Sequence, residues 1–390
     1  MFDGARSVAS RIQSLAAHLG LSALIVTLFF LLFEGFSSYL LVVRKAIEPE
    51  VPLAERRHTK YDSQLGWVNI PNVYIRDMYG PGVYLRTNSQ GFRNDSEFQT
   101  QIPPGKLRLI CSGDSFTLGY GVSNGDTWCQ DLVSLDSRFE TVNMGQGGYG
   151  LDQAYLWYAR DGIALDHDVQ IFAFIGTDLT RMVSVTFNGY PKPTLGLRDS
   201  QLVVQNVPVP QLGPSTRFVQ QFDRLRELRS IILLQRILFR KPAAWSNGGP
   251  GGSPVVLAIA ETIFDRLADL NRKKNSKLIV LFLPTQGEYR NGLPSHVEQI
   301  KSKVIAKGIM WIDLVDDFRK LPPTRAERLF IGEDALSGYR TAAGHYTVEG
   351  NRYVAEILYS HIASIPSVAL RLAAVAKSGS QRPLRISEAN

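Results

Sequence analysis

Cysteine and histidine are scarce in this chain: 390 residues include two of the first and six of the second. Cys111 and Cys129 lack the paired spacing of a zinc or iron–sulfur site, so no metal and no cofactor is expected. So low a content also excludes a disulfide-built scaffold, and both residues are expected to be small apolar members of the core. Also missing are a Gly-Lys-Ser/Thr phosphate loop, zinc-finger spacing and any RNA-binding signature. The net charge of +7 comes from scattered lysines and arginines, not from a basic stripe, so nucleic acid is not an expected partner. What remains, at 44% hydrophobic residues, is a globular composition able to bury a large core.

One apolar stretch exceeds what such a core needs. Leu19 to Val43 reads LGLSALIVTLFFLLFEGFSSYLLVV, about 25 residues interrupted by one acid, Glu34, and long enough to cross a bilayer of about 30 Å. Residues 19–43 are expected to form a single transmembrane anchor behind an N-terminal cap of 1–18. A cleaved signal peptide is the rival reading, but the run is long for one and no small-x-small cleavage site follows it. Arg44, Lys45, Arg56, Arg57 and Lys60 lie beyond the run and by charge count favour a cytoplasmic main domain. Long domains, however, translocate regardless of charge.

From Tyr61 to Asn94 the chain is rich in Asn, Gly, Pro and aromatics, with YDSQLGWVNIPN followed by VYLRTNSQGFRND. Turns and a small hairpin are expected there, with Val83–Thr87 as its strand and no obvious chemistry. Strands are then expected at Leu107–Cys111, Glu140–Asn143, Val169–Ile175, Lys277–Leu283 and Ile309–Leu314, most of them apolar runs. Helical patterns at Thr127–Leu135, Leu151–Leu165, Val256–Lys274, Ser295–Lys307 and Thr347–Ile362 alternate with them. This alternation predicts an α/β fold with a doubly wound parallel sheet spanning 61–364. An insertion at about 190–254 interrupts it and is expected to cap the active edge. Its segment Thr216–Phe239 has helical spacing and five arginines, either a solvated face or one lying against anionic lipid head groups. Residues 365–390 are small, polar and basic and are expected to be a disordered tail.

Chemistry concentrates where strands end. The first run stops at Ser112-Gly113 and is followed by Asp114-Ser115, which puts a hydroxyl at a strand's carboxyl end and at a helix's first turn. In open α/β sheets ligands bind at that edge, and free N–H groups there face developing negative charge. Ser115 is thus a nucleophile candidate, or else a helix cap. Gly145-Gln146-Gly147-Gly148-Tyr149-Gly150 follows the second strand, either as turn glycines or as donors to an oxyanion. The third strand ends in Gly176-Thr177-Asp178, and His345 stands just ahead of the last helix. A serine hydrolase needs a hydroxyl within reach of an imidazole, and donors where the carbonyl oxygen becomes an oxyanion.

Four blocks of this sequence resemble the SGNH hydrolases, also called the GDSL family. They are Gly113-Asp114-Ser115 with FTLGYGV, Asn143 with GQGGYG, Gly176-Thr177-Asp178-Leu179, and Gly344-His345 with YTVEGN. The resemblance covers roughly Tyr61 to Ile362, and the TNSQGFRND lead-in and the YPKP…NVPVP excursion look like a membrane-anchored bacterial branch. It implies a flavodoxin-like sheet and acyl-ester chemistry, with Ser115 as nucleophile and His345 as base. The N–H groups of Ser115 and Gly148 would form the oxyanion hole, Thr177 would supply a side-chain donor, and Asp114 would brace the turn. The implied partners are an acyl ester, a carbohydrate ester among them, and the membrane through the N-terminal helix, with the domain facing outward. Two positions depart from the pattern: Thr177 stands where the family has Asn, and Ala342 and Ala343 stand where it has the Asp before the histidine. Glu333 or Asp334, or a backbone carbonyl, would then orient the imidazole. A hydrolase or acyltransferase is expected, or a glycan-binding or envelope-assembly protein that keeps the fold with weakened chemistry.

Overall fold

A computed structural model describes residues 2–47, 55–211, 230, 250–332 and 342–380. The chain divides into two units, residues 1–51 with 213–245 and residues 52–212 with 246–390.

In the first unit α1 runs unbroken over Phe2–Ile47, so residues 1–18 do not form a separate cap: nothing in their composition breaks a helix. Within α1, Ser14–Leu40 is a 27-residue stretch of mean hydropathy 2.3, long and apolar enough to cross a membrane. Glu34 is the acid that interrupts this run, and its carboxylate accepts the backbone N–H of Ser230 at 3.0 Å. Apart from Ser230, the helix expected at Thr216–Phe239 lies outside the described residues.

The second unit is built on five parallel strands: β1 (Leu107–Gly113), β2 (Phe139–Gly145), β3 (Val169–Phe174), β4 (Lys277–Phe282) and β5 (Met310–Asp313). They lie in the order β5-β4-β3-β1-β2 and are parallel throughout. Read from the other edge this is the 2-1-3-4-5 order of flavodoxin-like sheets, whose switch point falls between β1 and β3.

Continuous apolar strands result because both faces are covered. The two-residue period of β3 sends Phe172 and Phe174 to one core, with Phe264 and Val280, and Ile171 and Ala173 to the other, with Ile279 and Leu358. On the first face α6 (Pro254–Lys273) buries Val256, Ile259, Ala260, Ile263, Phe264 and Leu267, the i, i+3, i+4 spacing of one stripe. Each large side chain so buried contributes about 1.5–3 kcal/mol. Helices α4 (Leu151–Arg160) and α7 (Ser295–Ala306) join it; a separate turn at Gly162–Ala164 completes the segment expected as one helix. Helices α3 (Trp128–Leu135) and α8 (Val348–Ser364) cover the second face.

One expectation needs correction. Residues after Ile365 are not all disordered tail: α9 (Pro366–Ser380) turns off α8 and presses Val368 and Leu372 onto the core, the apolar contact that a small, basic composition concealed. Residues 381–390 lie outside the described ones. In the lead-in the expected hairpin strand is present as Leu85–Arg86, inside Val83–Thr87 and paired antiparallel with Tyr74–Ile75, and a second pair joins Thr59–Asp62 to Gly66–Asn69. At the start of the insertion Thr186–Phe187 pairs with Tyr190–Pro191, and Thr194–Arg198 with Gln201–Gln205.

Candidate active site

The carboxyl ends of β1 and β2 meet at Gly113 and Gly145, which are paired in register. From there the chain enters α2 (Ser115–Leu118), capped by Asp114, whose Oδ1 accepts the N–H of Phe116 at 2.9 Å. Capping therefore falls to Asp114, and the Ser115 hydroxyl is left for another partner. That partner is His345: its Nε2 lies 2.8 Å from Ser115 Oγ. The backbone N–H of Ser115, at the first turn, finds no acceptor among the described residues.

His345 is held by the segment around it. Its carbonyl accepts from Ile331 N at 2.7 Å, and Gly344 N donates to Ile331 O at 2.8 Å. Tyr346 Oη donates to the carbonyl of Pro284, just past β4, at 2.7 Å. Thr347 caps α8, and Gly350 lets the helix approach Leu329, whose carbonyl would lie 2.2 Å from a Cβ there. Asn351 Oδ1 accepts from Trp128 N at 3.0 Å and so ties α8 to α3. The YTVEGN block is thus a set of braces for one imidazole.

Among the described residues, His345 Nδ1 faces the carbonyl of Ala342, at 3.2 Å. A carbonyl accepts from an Nδ1–H and so selects the tautomer with a bare Nε2, but it carries no full charge to stabilise an imidazolium. Glu333 and Asp334 lie outside the described residues. The ring centroid lies 4.6 Å from that of Phe116 and 5.1 Å from that of Tyr120, the two tilted to it by 33° and 38°. Burial among these groups lowers its pKa to about 4, and the Arg181 cation acts in the same direction.

Gly148 follows β2 with φ +77°, a left-handed conformation, and a Cβ there would lie 2.3 Å from the ring of Phe187. Its N–H finds no acceptor among the described residues. Below this loop the lead-in pairs grip the chain: Trp67 Nε1 donates to Gly147 O at 3.0 Å, and Gln146 Nε2 to Asn69 Oδ1 at 2.8 Å. Thr177 is the second residue of α5 (Gly176–Arg181) and is exposed.

Sequence reasoning passed over three groups. Arg93, fully buried, donates to the carbonyls of Leu118, Gly119 and Val122 and to Asn124, fixing the segment that carries Tyr120. The neighbouring Asn94 pairs with Thr141 and Asn143 of β2. The GFRND block, expected to carry no chemistry, therefore braces the nucleophile turn, and an arginine flanked by Phe92 and Asn94 was its available signal. The third group is Arg181, whose Nη1 donates to Asp178 at 2.5 Å, to the Tyr149 carbonyl at 3.0 Å and to Asp114 Oδ2 at 3.2 Å. Burial and the charge of Asp114 push the Asp178 carboxyl well above its usual range. Asp114 is raised by burial too, with Arg181 opposing. Among the described residues no cluster of three or more His, Cys, Asp or Glu has metal-binding geometry.

No family model matches the chain. A lactonohydrolase of Aspergillus oryzae, oryH, is 34% identical over 117 residues, which is 30% of this chain and 23% of that protein. Similar solved structures include a member of the lipolytic G-D-S-L family from Veillonella parvula (14% identity, TM-score 0.36, 66% of this chain and all of that one). They also include the acetyl xylan esterase AlAXEase (16%, TM-score 0.38, 66% and 100%) and a lipase/acylhydrolase from Enterococcus faecalis (12%, TM-score 0.34, 66% and 95%). The strand order is that of a flavodoxin-like sheet, and the four blocks that resemble the SGNH, or GDSL, hydrolases stand at its carboxyl edge, where Ser115 and His345 meet.

Proposed function

We propose that the protein is a serine esterase or O-acyltransferase that forms an acyl-enzyme on Ser115. The observation that carries this reading is the 2.8 Å contact between a helix-end hydroxyl and an imidazole whose other nitrogen is already engaged. In the first step Ser115 Oγ bonds to the acyl carbon and its proton passes to His345 Nε2. The carbonyl oxygen becomes an oxyanion facing the free N–H groups of Ser115 and Gly148. The alcohol then departs with the proton from Nε2, and water or an acceptor hydroxyl, deprotonated by the same nitrogen, takes the acyl group. The acyl group under this reading is a short one, acetyl above all. An envelope carbohydrate is the acyl carrier under this reading. The α1 helix is its single-pass anchor, and the domain faces outward.

A second reading has its own support. The imidazole faces a carbonyl where an acid is expected, and Thr177 replaces an amide donor, the changes a glycan-binding or assembly protein with relaxed chemistry would show. One experiment separates them: the folded full chain is treated with a fluorophosphonate probe. Labelling that disappears in Ser115→Ala supports the acyl-enzyme, and absence of labelling in the folded wild type favours the binding protein.

A further inference from the structure

An oxyanion at this site would form beside Asp114 and Asp178, both buried, and their negative charge opposes it. Arg181 lies between them. It stands one helical turn past Thr177, at the i+4 position on α5. Its Nη1 touches Asp114 Oδ2, itself 3.5 Å from Ser115 Oγ, so two hydrogen-bond lengths separate the guanidinium from the nucleophile. The same Nη1 touches the carbonyl of Tyr149, the residue after Gly148, so the group also borders the oxyanion loop. A guanidinium has five N–H donors, and Nη1 makes all the bonds described above. Nε and Nη2 have no acceptor among the described residues, and 21% of the side chain is open. The ring of Phe187, 5.3 Å from Cζ, holds the fork from the other side.

We propose that Arg181 is a catalytic residue whose remaining guanidinium N–H groups donate to the oxyanion on the acyl carbon. It takes the part of the side-chain donor that the Thr177 position supplies elsewhere in the family pattern. The proposal rests on the acyl-enzyme reading. It requires a cation at this place for a chemical reason: without it, negative charge would develop next to two carboxylates. The charge of Arg181 already reaches the base, since it opposes protonation of His345.

The test uses the full chain in detergent micelles with p-nitrophenyl acetate as substrate and a fluorophosphonate as probe. Arg181→Met is expected to lower kcat about a hundredfold to a thousandfold with KM changed by less than about threefold. The acid limb of kcat/KM should move to higher pH, because the cation opposing His345⁺ is gone. Arg181→Lys, which keeps the charge without the fork, should recover part of kcat and leave the acid limb in place. Because Arg181→Met strands two carboxylates, Arg181→Met with Asp178→Asn serves as the folded comparison if the single variant unfolds, and its kcat should stay low. The proposal is overturned if kcat of a folded Arg181→Met chain stays within about threefold of wild type. A loss of kcat equally large in Arg181→Lys, with an unmoved acid limb in both variants, overturns it too, since that is a packing effect. Wild-type protein that neither turns over the ester nor takes the probe at Ser115 refutes the acyl-enzyme reading itself. Labelling of wild type with equal turnover in the variants refutes only the role of Arg181.

Discussion

Ser115 and His345, 230 positions apart in the chain, meet through a 2.8 Å contact between Oγ and Nε2. The serine arrives on the turn after β1 and the histidine on the loop before α8. Each is held by backbone hydrogen bonds on both sides of it, and among the described residues the imidazole Nδ1 is met by the Ala342 carbonyl.

That arrangement makes a pH prediction. A base lowered to about 4 is neutral well below pH 6.5, so kcat/KM for p-nitrophenyl acetate should hold its plateau down to mildly acidic pH and fall only near pH 4. An acid limb near 6.5 would contradict it. Stability has the matching sign: between the unfolded value near 6.5 and the folded value near 4, the unfolded chain binds the extra proton. The contribution is complete above pH 6.5 and is lost as pH falls toward 4. His345→Gln should flatten that part of a urea-midpoint-against-pH curve and reduce turnover roughly ten-thousandfold.

Gly148→Ala puts a Cβ on a left-handed residue and against the Phe187 ring. Backbone strain alone costs about 1–2 kcal/mol, and displacement of the loop should lower kcat more than it raises KM. Adding Phe187→Ala removes the clash but not the strain, so it should restore activity only in part. Full recovery would mean that the conformation of the loop is immaterial.

Lys192 and Asp152 form an ion pair 2.6 Å apart with both side chains wholly buried. Lys192→Met leaves Asp152 uncompensated and should destabilise the unit by about 3–5 kcal/mol in chemical denaturation. Pairing it with Asp152→Leu should recover most of that loss. If the double variant is no better than the single, the pair is not coupled as its geometry indicates.

Arg93→Met should be similarly severe for a different reason. It leaves the carbonyls of Leu118, Gly119 and Val122 buried without their donor, at a cost of at least about 2 kcal/mol. Because these carbonyls flank Tyr120, which packs against His345, the folded fraction should also show reduced turnover. A fall in thermal stability with unchanged specific activity would separate Arg93 from the site.

Much of this molecule was legible in one dimension, for local reasons. Apolar runs such as VQIFAFI and the alternation of two periodicities depend only on which side chains must leave water, and they specify the sheet, its helices and the apolar length of α1. Short-range chemistry likewise marked Ser115, Gly148, Thr177 and His345, because polar residues after a strand or before a helix stand at the edge of the sheet. Only the folded chain decided which of these groups touch. The Ala342 carbonyl facing the imidazole, the Arg93 clamp and the place of Arg181 between Asp114 and Tyr149 are contacts between distant segments. No periodicity or spacing encodes them, since each depends on how separately folded elements pack. The α9 helix makes the same point: its small, basic sequence suggests a loose end, and only the core surface beneath Val368 and Leu372 makes it a packed element.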